Sequence, residues 1–287
     1  MTRTALSPAP DQVFRLSFGD LVKYVICTLV ALIVVVPIVT TVLGGFKSSG
    51  ELLANPFALP RSFNTANYIE ILSSQRFWQL GLNSVIIMLA TTFLTVLFSA
   101  MAAFVFSRLA FKGRDVLFNI YSLGLLFPFA VAILPLYVQM RQSNLLDTYS
   151  GIFLPQAAFG IPGNVLILRN FFRSIPGELE DAAYMDGCSI VGFFWRILLP
   201  LSRTALATVG VLAMVASWNN YLLPLLVLNS PDMWTLPLGI TQFQGQYSTD
   251  WGKVLAFVSL SMLPALIFYL LAQRQLIAGL TAGAVKG

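Results

Sequence analysis

Six long stretches contain no charged residue: Tyr24 to Phe46, Phe77 to Ser107, Val116 to Met140, Thr148 to Leu168, Thr204 to Pro231 and Val254 to Gln273. Each has at least 20 residues, enough for a helix to cross about 30 Å of hydrocarbon. Lipid offers no partners to backbone polar groups, so such runs must close their hydrogen bonds as helices or as a barrel. Barrel strands would read as alternating segments of about ten residues, and these runs do not alternate. The expected fold class is therefore an all-α membrane protein with six transmembrane helices. Only 10% of the residues are charged, against about 25% in soluble domains.

The net charge of +5 raises nucleic acid as a partner, but the placement of the basic residues explains it otherwise. With a cytoplasmic N-terminus, the inner segments hold Arg3, Arg15, Lys23, Arg108, Lys112, Arg114, Arg169, Arg173, Arg196, Arg203, Arg274 and Lys286. The outer segments hold Lys47, Arg61, Arg76, Arg141 and Lys253. Both termini are then cytoplasmic, and the first span reads as an uncleaved anchor. Residues 1–22 form an expected cytoplasmic tail, 23–273 the membrane domain, and 274–287 a second tail. Prolines inside the apolar runs, among them Pro37, Pro128, Pro135, Pro155, Pro162, Pro224 and Pro264, predict kinks.

Several chemistries are excluded. The chain has no histidine, which removes Ser-His catalysis and histidine-based zinc sites. Cys27 and Cys188 are too few and too far apart for a disulfide framework. No GxxxxGK[ST] loop is present, so the chain cannot cradle ATP phosphates in the usual way. The absence of ionisable groups within the six runs disfavours a proton- or ion-driven carrier, although carriers that bind ions through backbone carbonyls stay open.

The connection from Arg169 to Arg203 carries four acids, Glu178, Glu180, Asp181 and Asp186. Ser174 and Pro176 suggest a helix start, the acids suit a first turn, and Asp186-Gly187 suggests a stop. Leu179, Ala182 and Ala183 make a small apolar stripe on that helix. Ser189 can cap a second helix on which Ile190, Phe193, Phe194, Ile197, Leu198 and Leu201 share one face. Pattern alone leaves an ordinary amphipathic loop open beside a mechanical lever.

The spacing of Asp181-Ala182-Ala183, Gly187, Ile197 and Leu199-Pro200 resembles the EAA loop of ABC importer permeases, with Asp181 where that loop has Glu. The resemblance implies a type I ABC importer permease fold, a coupling helix over Glu180 to Gly187 within a loop at about 174–200, and docking on a cytoplasmic ATPase. The C-terminal GLTAGAVKG is similar to the tail of maltose-permease G-type subunits, which implies that Gly279, Leu280, Thr281, Ala282, Gly283 and Lys286 reach the ATPase interface.

The implied partners are a second homologous permease, two ATPases that hold ATP and magnesium, a periplasmic or extracellular solute-binding protein, a sugar and membrane lipid, in a bacterial inner membrane. Neither catalysis nor a cofactor of its own is implied for this chain. A non-sugar solute is the alternative within the family, and a secondary carrier the alternative outside it.

Polar residues that can exchange hydrogen bonds with sugar hydroxyls are Asn83 and Ser84 in span two, Gln156 in span four, and Asn219, Asn220 and Tyr221 in span five. Trp218 can stack on a sugar face. Plain interhelical hydrogen bonding is the stronger explanation at each single position.

Overall fold

The computed structural model describes residues 18–245 and 249–282, and within them the chain is helical. In order come α1 (Phe18–Gly44), α2 (Ser49–Ala54), α3 (Ala66–Ser73), α4 (Gln75–Arg108), α5 (Arg114–Ser122), α6 (Phe129–Gln142), α7 (Ser150–Ser174) and α8 (Glu178–Met185). They are followed by α9 (Ile190–Phe193), α10 (Leu199–Leu201), α11 (Arg203–Trp218), α12 (Leu222–Val227) and α13 (Trp251–Ala282).

Four helices, α1, α4, α7 and α13, are each long and apolar enough to cross a membrane unbroken. The third and fifth expected spans are broken. The segment 114–126 meets α6 at 94°, and 190–201 meets α11 at 79°. Counting each bent pair as one span restores six.

The first break falls at Phe127-Pro128. Proline drives the residue before it out of helical geometry, and Phe127 is extended at φ −84°, ψ 110°. Pro135, Pro155, Pro162 and Pro264, in contrast, lie inside continuous helices. The fifth apolar run is interrupted at Asn219–Tyr221, and α12 ends at Val227, so that run is not a single span. At the C-terminus the helix continues to Ala282, well past the expected end at Gln273, because 274–282 contains good helix formers and no proline.

The core is built on α4, which packs along α7 and α11, while α11 also packs on α13. One buried cluster lies at the end carrying the 178–202 loop and joins Phe104, Phe172, Phe193, Phe194 and Leu198. A second, at the opposite end, gathers Phe77, Leu80, Trp218 and Phe257. In contrast, α1 leaves its apolar residues exposed and touches mainly α13. That is the pattern of a helix whose solvent is lipid or another chain.

The opposite end is closed by the segment between α1 and α4. Ser48 caps α2 by accepting from Glu51 N–H, and Glu51 in turn accepts from Arg61 N–H at 2.8 Å. Lys47 is fully buried. Its Nζ donates to the carbonyls of Asn55 at 3.1 Å, Pro56 at 3.2 Å and Ala58, so a single ammonium ties this segment together.

Candidate functional site

Two regions contain the residues singled out by sequence. The first is the loop between α7 and α11. Ser174 does not start α8 as expected. Its hydroxyl donates back to Phe171 O at 2.7 Å and closes α7. Pro176 forces Ile175 to be extended, and α8 begins only after Gly177, whose carbonyl accepts from Glu180 and Asp181 N–H at 2.8 and 3.0 Å.

The stop at Asp186-Gly187 is where the spacing predicts it. Cys188 N–H donates to Ala183 O at 2.9 Å and Gly187 N–H to Tyr184 O at 3.0 Å, with Gly187 at φ +80°. This is a Schellman closure, which needs a residue in the left-handed region. Ser189 then caps α9, accepting from Gly192 N–H at 3.1 Å.

Along the second helix Phe193, Phe194 and Leu198 are buried and Ile197 and Leu199 half-buried, whereas Ile190, Pro200 and Leu201 at its ends are exposed. Phe194–Leu198 forms a π-helical turn just before Pro200, which has no N–H for the carbonyl four residues back.

The two neighbouring acids of α8 point to different places. Glu180 faces inward, its Oε2 at 3.4 Å from Arg108 Nη1 and its Oε1 accepting from Tyr184 Oη at 2.9 Å. Arg108, the last residue of α4, also donates from Nη2 to Phe172 O at 2.5 Å and Ile175 O at 2.7 Å. A single guanidinium thus joins the ends of α4 and α7 to α8. Burial, reinforced by the neighbouring Glu180 carboxylate, pushes the Tyr184 phenol up to about 12. Asp181, Ala182 and Asp186 are exposed with Leu179 and Met185, while Ala183 is buried against the core. The stripe expected from Leu179, Ala182 and Ala183 therefore splits, and only Ala183 belongs to the protein's own core.

The second region is a pair of cavities beside the break in the fifth run. One, of about 620 Å³, lies between α11 and α13, and its lining includes Trp218, Asn219, Tyr221, Gln244, Ser261 and Tyr269. The other, of about 360 Å³, lies among α4, α7 and α11 and includes Thr91, Thr95, Gln156, Asn164, Ser217 and Asn220. Among the described residues, neither is lined by a charged side chain.

Gln156 Oε1 accepts from Ser217 Oγ at 2.6 Å and Thr91 Oγ1 at 3.2 Å. Among the described residues its Nε2 and Thr95 Oγ1 are buried without a partner. Trp218 is buried, with Nε1 donating to Ser261 O at 3.1 Å and its ring edge-on to Phe268. Asn219 Nδ2 donates to Val215 O at 3.0 Å.

Asn83 and Ser84 line neither cavity. Asn83 donates to Asp232 O and Trp234 O, both at 2.8 Å, and accepts from Tyr149 Oη at 2.8 Å. Ser84 Oγ accepts from Leu236 N–H at 2.7 Å. Both are engaged in holding the 231–236 segment onto α4. Polar lining residues missed by sequence reading include Thr91, Thr95, Asn164 and Ser217 in the smaller cavity and Gln244, Ser261 and Tyr269 in the larger. Thr91, Thr95 and Ser99 recur every four residues along α4, a buried polar stripe whose helical spacing is visible in the sequence.

Of the tail residues, Gly279, Leu280, Thr281 and Ala282 lie in the last turns of α13, while Gly283 and Lys286 fall outside the described residues. Among the described residues no group of three or more His, Cys, Asp or Glu side chains can hold a metal ion.

A bundle of four unbroken and two bent apolar helices, with the glycine-stopped helix α8 between its fourth span and its bent fifth, has the architecture of a type I ABC importer permease. The sequence profile of the family described as binding-protein-dependent transport system inner membrane component matches residues 95–276, and the chain belongs to that family.

A putative ABC transporter permease protein of Caldicellulosiruptor sp. is 40% identical, the match covering 89% of this chain and 93% of that one. The arabinooligosaccharides transport system permease protein AraQ of Halalkalibacterium halodurans is 37% identical, with coverage of 90% and 93%. Among solved structures, a chain of a bacterial ABC transporter involved in the import of the acidic polysaccharide alginate superposes with a TM-score of 0.78 at 24% identity, covering 93% of this chain and 99% of that one. At that identity the match speaks for the fold.

Proposed function

We propose that this chain is one of two membrane-spanning subunits of an ATP-driven, binding-protein-dependent importer of an oligosaccharide-type sugar. It forms half of the translocation path and receives the ATPase stroke through α8. The observation that carries this reading is the presentation of α8, stopped at Gly187, anchored inward by Ala183 and Glu180, and offering Leu179, Asp181, Ala182 and Met185 outward. A short, exposed and rigidly tied helix of this kind suits a groove on a cytoplasmic ATPase, which supplies ATP and magnesium.

The partners in this reading are a second permease, two ATPase subunits and a solute-binding protein on the far side, with both termini of this chain cytoplasmic. The chain takes the part of the G-type half of a maltose-type pair, and its C-terminal segment from Gly279 to Lys286 reaches the ATPase. The sugar assignment draws on relatives named for arabinooligosaccharides and on the uncharged lining of the two cavities. Gln156 and Asn220 in one cavity, and Trp218, Asn219 and Tyr221 in the other, are the path residues of this reading. Asn83 and Ser84 support them as scaffold.

Affinity purification of the tagged chain in mild detergent, with and without residues 180–187, tests the proposal. Retention of a second permease and an ATPase by the wild type, with loss of the ATPase alone in the deletion, supports it. A solitary chain that transports in ATP-free vesicles overturns it.

A further inference from the structure

We propose that the arginines at the start of α5 and the end of α7 form a site for the phosphate of an anionic lipid headgroup. The charges at this corner of the bundle are out of balance. Asp115 Oδ1 is shared by Arg114 Nε at 3.4 Å, Arg169 Nη2 at 3.5 Å and Arg173 Nη2 at 4.0 Å. Lys112 lies three residues before Asp115. One carboxylate thus faces three guanidiniums, and none is as close as the roughly 2.7–2.9 Å of a tight charge-assisted bond.

The three arginines differ in freedom. Arg169 is buried, donates from Nε to Phe106 O at 3.2 Å, and has its guanidinium 3.6 Å from the Phe118 ring centroid. It serves as a fixed anchor for Asp115. Arg114 and Arg173 keep side-chain exposures of 27% and 42%, and their remaining N–H donors, unpartnered among the described residues, can form the planar forks that match phosphate oxygens. A hollow of about 370 Å³ lies beside Arg114, lined by Ala110, Phe111, Gly113, Arg114, Asp115 and Val116.

The surroundings favour a lipid over a soluble anion. Directly after the charged turn, α5 exposes Val116, Leu117 and Ile120 at 62%, 51% and 59%. This apolar face suits acyl chains whose headgroup sits at the arginines. Basic pockets between transmembrane helices at the membrane surface bind phosphate headgroups in the same way.

The test uses the assembled transporter in detergent, titrated with phosphatidylglycerol or phosphatidylcholine and read by native mass spectrometry. Wild type is expected to hold phosphatidylglycerol in preference. The double variant R114Q/R173Q is expected to bind it roughly 30-fold more weakly, two charges each worth about a factor of five at an anionic surface. Asp115→Asn is expected to bind it more tightly, an opposite sign that damage to the fold would not produce.

Phosphatidylglycerol binding that is equal in all three proteins, or that falls in Asp115→Asn, overturns the proposal. Displacement of the lipid by inorganic phosphate at matched concentration overturns the lipid source in favour of a soluble anion. Loss of the ATPase subunits from R114Q/R173Q with lipid binding intact overturns it in favour of a protein surface.

Discussion

Replacing Arg108 with methionine should release α8 from the bundle while leaving the bundle folded. The side chain makes two charge-assisted bonds to the last carbonyls of α7, at 2.5 and 2.7 Å, and one longer contact to Glu180 at 3.4 Å. Hydrogen bonds to a charged group are worth about 1.5–3 kcal/mol each. The carbonyls can rehydrate at a helix end, so the lower figure applies, about 3 kcal/mol for the pair. The Glu180 contact adds less, since part of it is replaced by the Tyr184 hydroxyl.

Local opening of the segment that runs from the end of α7, at Phe172 and Ile175, through α8 should then be favoured by roughly 150-fold, at 1.4 kcal/mol per tenfold. Hydrogen–deuterium exchange reads this directly, because amides that exchange through local opening report its free energy. Amides of 180–188 should accelerate by about two orders of magnitude in Arg108→Met, while those of 152–168 in the middle of α7 stay slow. Glu180→Gln should produce a smaller acceleration, and the double variant less than the product of the two single effects. Unchanged exchange at 180–188, or equal acceleration along all of α7, would refute the stapling role of Arg108.

Four further outcomes are expected. Gly187→Val should destabilise the loop by about 1–2 kcal/mol through its left-handed φ alone, since among the described residues no atom beyond its chain neighbours lies within 4 Å of the new Cβ position; ATPase activity uncoupled from transport would register it, and wild-type coupling would contradict it. The Tyr184 phenol sits above its ordinary 10.0, so its contribution to stability is complete below about pH 10 and declines as pH rises toward 12. Subtracting the tyrosinate absorbance titration of Tyr184→Phe from that of wild type should isolate one late-titrating phenol, and a difference centred at 10 would contradict this. Lys47→Met should remove three donors from the carbonyls of 55–58 and make that segment the first site of limited proteolysis. Gln156→Leu should reduce sugar transport at least tenfold while leaving basal ATP hydrolysis unchanged, and uptake at the wild-type rate would remove that cavity from the path.

Much of the fold was legible because lipid imposes length and charge rules that a single sequence displays. Spans one, two, four and six appear as unbroken helices for that reason. The break at Phe127-Pro128 was written in a proline, but so were Pro135, Pro155 and Pro162, which stay inside helices. What separates them is tertiary packing, such as the edge-on contact of Phe129 with Phe159 beside the break, and local spacing does not encode it. The Gly187 stop and Ser189 cap were readable because capping is local. The inward turn of Glu180 was not, because its partner Arg108 lies 72 residues away in sequence. Asn83 shows the same limit, since it resembles a binding residue until its partners at 149, 232 and 234 are seen.

The bend of 79° between 190–201 and α11 also decides what kind of motion can pass through it. Only roughly one fifth of a displacement directed along the first segment projects onto the axis of the second, that being the cosine of the angle, so little of it becomes piston travel. The remainder acts crosswise at the foot of α11 and tilts it about its contacts with α4 and α13. The 620 Å³ and 360 Å³ cavities flank the far end of the same helix, so a sideways swing that widens one narrows the other. In the importer proposed above, geometry of this kind acts as a bell crank, converting a stroke on α8 into an exchange of volume between the two cavities.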